Sequence, residues 1–164
     1  MKKAIFGYGG HAREVEVQLN EKLTFFVDDE YSNQVCKPLS EFNADEYEII
    51  IAVADPIKRE EILKKLPKNT KYFTFIHPTA QIMDNNITIG EGSFIGANTI
   101  LTTNISIGNH SILNRGNHIG HDSIMGNFTS MMPGAIVSGN VTIGDRVYLG
   151  TNSTIIEKVS LCSD

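Results

Sequence analysis

The chain has 164 residues, 41% of them apolar, with 19 acidic against 14 basic side chains and a net charge of −5. This is room for one ordinary domain or two small ones with a real core, and the basic residues form no stripe that would favour nucleic acid. Only Ala4-Ile5-Phe6 separate Met1-Lys2-Lys3 from a glycine-rich turn, too little for a signal peptide, and no window reaches the apolar length of a membrane span.

From the start, short apolar strands alternate with helices, the βαβ signature. Ala4-Ile5-Phe6 reads as a buried strand, and Ala12, Val15 and Leu19 give the apolar face of a helix. Leu23–Val27 is a second strand ending in Asp28-Asp29, and Ile49–Ala54 a third. An amphipathic helix follows from Pro56 to Leu66, with Ile57, Ile62, Leu63 and Leu66 on its apolar side, and a last strand runs from Tyr72 to Ile76. The first turn, Gly7-Tyr8-Gly9-Gly10-His11-Ala12, has the form G-x-G-x-x-A, with Asp28 nineteen residues beyond Gly9. A full dinucleotide fold needs two βαβ halves, and this segment has room for one. A mononucleotide diphosphate at the helix N-terminus fits better, with Asp28 and Asp29 placed to accept hydrogen bonds from a ribose or a base. A turn that only reverses the chain, and aspartates that only end a strand, satisfy the pattern equally.

Every sixth residue from Ile89 to Leu161 is aliphatic or Met, thirteen positions in one phase. Chance gives such a run less than about once in a hundred thousand. Four residues after most of these come small or β-branched side chains, Ile105 and Asn117 being exceptions. The period fits a three-sided prism with one hexapeptide per face and eighteen residues per coil. The 72-residue interval therefore predicts four coils. Glycines such as Gly108 and Gly120 directly follow inward residues, where a side chain would crowd the corner or the backbone needs unusual dihedrals. Residues 1–76 thus read as a small Rossmann-like α/β domain and 77–164 as a left-handed parallel β-helix, joined at His77-Pro78. Open coil ends and flat faces predict self-association, with a homotrimer the simplest closure. Cys36 and Cys162 match no zinc or redox spacing, so a reducing cytoplasm is the expected location.

One βαβ half followed by hexapeptide repeats, with Gly7-Tyr8-Gly9-Gly10-His11 at the start and Ile119-Gly120-His121-Asp122 in the coils, resembles a known family over the whole chain. It is similar to the PglD-like bacterial sugar-nucleotide N-acetyltransferases, which have O-acetyltransferase relatives in the sialic-acid pathway. The resemblance implies transfer of an acetyl group from acetyl-CoA to the amine of a nucleotide-linked 4-amino-4,6-dideoxy-sugar used in surface glycans or glycoproteins, with no metal. By position it implies nucleotide-sugar contacts at Gly9, Gly10, His11, Asp28, Asp29 and Ala54, and catalysis by His121 with Asp122. Acetyl-CoA contacts fall on Thr151 and on Ser130, where some members carry a histidine. Members continue through further coils, whereas this sequence stops at Asp164 inside a hexad, so coils are expected to be missing.

The chemistry agrees with the residue types. An amine attacking a thioester loses a proton, which a histidine is suited to take. His121 is expected to project from a corner of the coil with Asp122 orienting its ring, and the N–H of Gly139, one coil further on, is placed to receive an oxyanion. Two other classes compete. One is a zinc enzyme of the β-helix carbonic anhydrase kind using His110, His118 and His121, although their places in the hexads do not make them converge. The other is a non-catalytic module in which the coil trimerises the chain and the first domain binds a regulatory nucleotide.

Overall fold

The computed structural model describes residues 1–163; Asp164, the end of the second segment expected from the sequence, lies outside them. The N-terminal part is a five-stranded, wholly parallel sheet in the order β3-β2-β1-β4-β5, formed by β1 (Lys2–Phe6), β2 (Thr24–Val27), β3 (Cys36–Pro38), β4 (Tyr47–Ile51) and β5 (Lys71–Tyr72). Helix α1 (Gly10–Leu19) links β1 to β2, and α2 (Pro56–Lys65) links β4 to β5. Strands β1 and β4 are neighbours although β2 and β3 lie between them in sequence, so the chain departs in opposite directions at their carboxyl ends. In open parallel sheets such a switch point leaves a crevice for ligands. Strand β3 and the two short 3₁₀ turns flanking it, Asp29–Tyr31 and Leu39–Glu41, were not legible in the apolar pattern, because Cys36-Lys37-Pro38 offers one buried side chain.

The segment expected as one strand, Tyr72–Ile76, is two. Lys71–Tyr72 closes the sheet beside β4, whereas Phe75–Ile76 pairs with Phe94–Ile95 and opens the β-helix. The left-handed parallel β-helix has five strands on each of three faces, one more coil than the four expected. The first face carries Phe75–Ile76, Phe94–Ile95, Ile112–Leu113, Ser130–Met131 and Tyr148–Leu149. The second carries Gln81–Ile82, Ile100–Leu101, His118–Ile119, Ile136–Val137 and Thr154–Ile155; the third begins at Thr88–Ile89 and ends at Ser160–Leu161.

The inward residues of the six-residue phase form one continuous core, from Ile95 through Leu113, Met131 and Val137 to Leu149. Each such side chain gains about 1.5–3 kcal/mol from leaving water. The small residues four positions later are also buried, and their hydroxyls bond the next coil: Ser93 donates to Gly108 O, Ser111 to Gly126 O and Ser123 to Ser138 O, all at 3.1–3.2 Å. Asn117, an exception in the sequence pattern, does the same with its amide, which donates to Met132 O at 2.7 Å. Most glycines after the inward residues are there for space, Gly150, with nothing within 4 Å, being an exception. A Cβ on Gly108 would come within 2.6 Å of the backbone of Gly126 and Asn127. The unusual dihedrals fall two residues later, at the second corner residue, where Asn98, Asn104, His110, Asp122 and Phe128 all have positive φ.

The first face docks against the sheet. Phe94 and Ile112 are buried among Ile5, Val15, Phe25 and Ile50. Helix α1 lies on the same side of the sheet, tied to the coils by Arg115 to Glu14 at 3.1 Å and by Ala97 N–H to Gln18 at 3.0 Å. Helix α2 and its C-cap cover the other side with Ile62 and Leu66. Its Ile57, expected on the apolar stripe, is 47% exposed, and the residue buried in its stead is Arg59, with 0% exposure. The reason is that the end of α2 meets the coils, whose corner carbonyls need donors.

Candidate functional site

Two sites stand apart on the molecule. The first is a cleft of about 800 Å³ at the switch point, lined by Gly7–His11, Asp28, Ala52–Ala54 and, from α2, Lys58 and Lys65. Gly7 has φ +110°, and a Cβ there would press on Ala52 O at 3.3 Å and Val53 Cγ2 at 3.4 Å. Gly9 and Gly10 have nothing within 4 Å of their ideal Cβ positions, so backbone and α1 N-terminus are open to a ligand. No side chain caps α1, and its first N–H groups with the helix dipole suit a phosphate.

Of the six residues expected around a nucleotide-sugar, Gly9, Gly10, His11, Asp28 and Ala54 line this cleft. Asp29 does not; its carboxylate turns away to accept the Ser40 N–H at 2.9 Å, which holds it below the usual carboxylate range. Asp28 accepts from Lys65 Nζ at 2.7 Å. His11 packs edge-on against Phe94, with both ring nitrogens buried and without hydrogen-bond partners, Glu14 Oε2 standing 3.9 Å from Nδ1, and burial pushes its pKa down to about 4.

The second site is at the corner between the second and third faces. His121 and Asp122 are its two turn residues, 56% and 46% exposed at the side chain. His121 Nδ1 lies 2.7 Å from Asp122 Oδ2, and Asp122 Oδ1 accepts from Asn104 Nδ2 at 2.7 Å. Asn104, then His121, hold Asp122 below the usual carboxylate range. An ionised Asp122 only accepts, so the His121 proton sits on Nδ1 and Nε2 is free to act as a base. One coil on, Gly139 makes room for the ring: a Cβ there would come within 2.5 Å of His121 Nε2. Gly139→Ala is therefore expected to keep the fold, since the imidazole is exposed and can swing away, while the rate falls about 10- to 100-fold. Unchanged melting with a reduced kcat checks this; an unchanged kcat contradicts it.

The two expected acetyl-CoA contacts are not at that corner. Ser130 is fully buried between the domains, where its hydroxyl donates to Ala54 O at 2.7 Å and accepts from Arg59 Nη2 at 2.9 Å. A ligand does not reach it, which corrects the expectation for this residue. Thr151 is exposed, at the corner between the first and second faces. The histidines of the zinc reading are equally scattered. His110 is buried between Tyr72 and Phe128, with centroids at 4.6 and 5.3 Å, His118 lies outward on the second face, and His121 is at the corner. Among the described residues no three His, Cys, Asp or Glu side chains gather closely enough to hold a metal ion.

Residues 2–66 match the family profile described as the PglD N-terminal domain, and residues 86–116 and 140–164 match that of the hexapeptide repeat of succinyl-transferase. A segment that matches the PglD N-terminal domain is thus joined to a hexapeptide-repeat β-helix. It is 25% identical over 173 aligned positions to the GDP-perosamine N-acetyltransferase of Escherichia coli O157:H7, covering 94% of this chain and 78% of that protein. Among solved structures it is similar to WeeI from Acinetobacter baumannii AYE, with a TM-score of 0.83 and 25% identity over 99% of this chain and 89% of that one. PerB from Caulobacter crescentus, solved with CoA and GDP-perosamine, shares this fold with a TM-score of 0.69 at 18% identity, covering 100% and 92% of the two chains.

Sequence reasoning missed three residues of these sites. Lys65 reaches Asp28 from the far end of α2. Asn104 had a signal, since it lies eighteen residues before Asp122 and so one coil above it at the same corner. Arg59 is the third.

Proposed function

We propose that this chain is an acetyltransferase that moves an acetyl group from acetyl-CoA to the amine of a nucleotide-linked 4-amino-sugar. The observation that carries the reading is the outward His121–Asp122 pair on a hexapeptide coil, joined to a domain whose open cleft suits a nucleoside diphosphate. The acceptor diphosphate lies against the α1 N-terminus, with Asp28 toward the ribose or base. Nε2 of His121 takes the amine proton as nitrogen attacks the thioester carbonyl, and the Gly139 N–H receives the oxyanion. The carbon–sulfur bond then breaks, the thiolate of CoA leaves, and the imidazolium returns the proton to it. The choice of an amine over a hydroxyl acceptor is supported by the substrate named for the relatives, a GDP-linked perosamine.

The placement of the two sites supports a homotrimer. The cleft lies on the side of the first face, whereas His121 stands at the opposite corner of the prism, a separation on the order of 15–20 Å from one hexad of extended chain. A sugar in the cleft therefore meets the His121 of a neighbouring protomer, and threefold closure supplies three such pairings. Thr151 keeps its proposed donor contact on the coil surface. Free Cys36 and Cys162 suit a reducing compartment, which supports a cytoplasmic location; no described helix is long and apolar enough to cross a membrane.

The test is kinetic. Asp28→Ala is expected to raise the KM for the nucleotide-sugar about tenfold and leave that for acetyl-CoA unchanged, while Asp29→Ala has a much smaller effect. Failure of the wild-type chain to acetylate any of a panel of GDP-, UDP- and dTDP-linked 4-amino-sugars would sink the reading.

A further inference from the structure

Arg59 presents a problem that stability alone does not answer. Its side chain is fully buried, and its six hydrogen bonds go to five carbonyls and one hydroxyl, with no carboxylate among them. Nε donates to His110 O at 2.7 Å, Nη1 to Val53 O at 2.6 Å and Ala54 O at 3.2 Å, and Nη2 to Phe128 O at 2.5 Å, Thr129 O at 3.2 Å and Ser130 Oγ at 2.9 Å. Taking a guanidinium out of water costs several kcal/mol, and a packed aliphatic side chain would hold the domains together without that cost. What an aliphatic side chain cannot do is fix carbonyls in direction, and the bonds made here are selective.

On the coil side they grip two consecutive corners of one edge, at His110 and Phe128, both at positive φ. On the sheet side they grip Val53 and Ala54, the loop after β4 that lines the cleft. The Ala54 carbonyl is held twice, since Ser130 also donates to it. The same loop supports the glycine turn, because a Cβ on Gly7 would be tight against Ala52 O at 3.3 Å and Val53 Cγ2 at 3.4 Å. A shift of Val53–Ala54 is therefore passed to Gly7–Gly10 at the α1 N-terminus.

We infer that Arg59 is a positioning residue for the nucleotide-sugar: through Val53–Ala54 it sets the shape of the cleft and its bearing on the coils. The inference rests on the nucleotide reading of the cleft proposed above. Arg59 never touches the ligand, so its substitution acts on acceptor binding and spares the donor.

Arg59→Lys keeps the cation but not the fork of bonds, and Ser130→Ala removes one donor to Ala54 O while leaving Arg59 in place. Binding of GDP, UDP and dTDP, and separately of acetyl-CoA, is measured by calorimetry well below each variant's melting temperature. With the nucleotide that wild type binds best, Kd is expected to weaken at least about tenfold in Arg59→Lys and about threefold in Ser130→Ala, and the acetyl-CoA Kd to stay within about twofold. Folded variants that bind the nucleotide as wild type does, or that lose acetyl-CoA affinity to the same degree, overturn the inference. Should Arg59→Lys not fold, Ser130→Ala decides it alone. Should wild type bind none of the nucleotides, the reading of the cleft fails first, and this inference with it.

Discussion

Replacing His121 with Ala is expected to lower kcat by about 10²- to 10⁴-fold, the usual contribution of a positioned general base, with nucleotide-sugar binding unchanged. The geometry makes the effect selective. His121 is an exposed corner residue, bonded through Nδ1 to Asp122, so its removal opens no cavity and takes nothing from the cleft on the far side of the prism. Asp122→Asn should give a smaller loss, because the amide still contacts the ring but no longer fixes its tautomer. His118→Ala is the internal control: His118 lies outward on the second face, three residues before His121, and should keep most of its activity. Steady-state kinetics on the three variants decide the matter. A His121→Ala chain with near-normal kcat, or activity that follows zinc content and vanishes with a chelator, contradicts the assignment.

The second large effect is on stability. Burial pushes His11 and His110 from 6.5 down to about 4. Between those values the unfolded chain binds protons that the native chain refuses, so stability is full above about pH 6.5 and falls as the pH drops toward 4. The shift corresponds to on the order of 3 kcal/mol for each residue, a large part of a typical folding free energy. Both are native in the neutral form: His11 against Phe94, and His110 stacked on Phe128 beside the Arg59 guanidinium, which further disfavours its charge. Melting temperatures at pH 7, 6, 5 and 4 should fall steadily. His110→Phe, which keeps the ring contacts, should remove about half of the slope. A flat profile between pH 7 and 4.5 contradicts this account. The depressed carboxylates of Asp29, Asp84 and Asp122 act at the lower end of the range, and that of Glu46, held down by Lys2, adds its loss only near pH 4.5 and below.

The β-helix was legible because its code is one-dimensional: one inward residue every six, buried from Ile95 to Leu149 as counted. Its first coil was hidden by a single residue. Phe75–Ile76 and Gln81–Ile82 pair with strands nineteen residues further on, whereas Thr88–Ile89 pairs eighteen on. The extra residue in the turn through Asp84-Asn85-Asn86 shifts the phase, so a six-residue count started at Ile89 meets Met83, which is 62% exposed, where Ile82 is the strand residue. In α2 the misreading was of kind. Arg59, Ile62, Leu63 and Leu66 follow the i, i+3, i+4, i+7 spacing of one face, so a charge stood in the apolar stripe while Ile57 stood outside it. Only the tertiary join shows why, since the coil-side acceptors of Arg59 lie 51 to 71 residues further along the chain. The orientation of Asp29 was out of reach in the same way, because its partner Ser40 belongs to a turn with no sequence period.

Subunit mixing decides whether the cleft of one protomer serves the His121 of another. His121→Ala removes the base, and Gly10→Trp fills the cleft at a position with open space around it; each variant alone should be inactive. Co-expressed with different tags and purified as mixed trimers, they should recover about a third of wild-type activity, because in a ring of either mixed composition one of the three interfaces pairs an intact cleft with an intact histidine. Verified mixed trimers with no activity above either parent would place cleft and base in the same protomer and contradict the account.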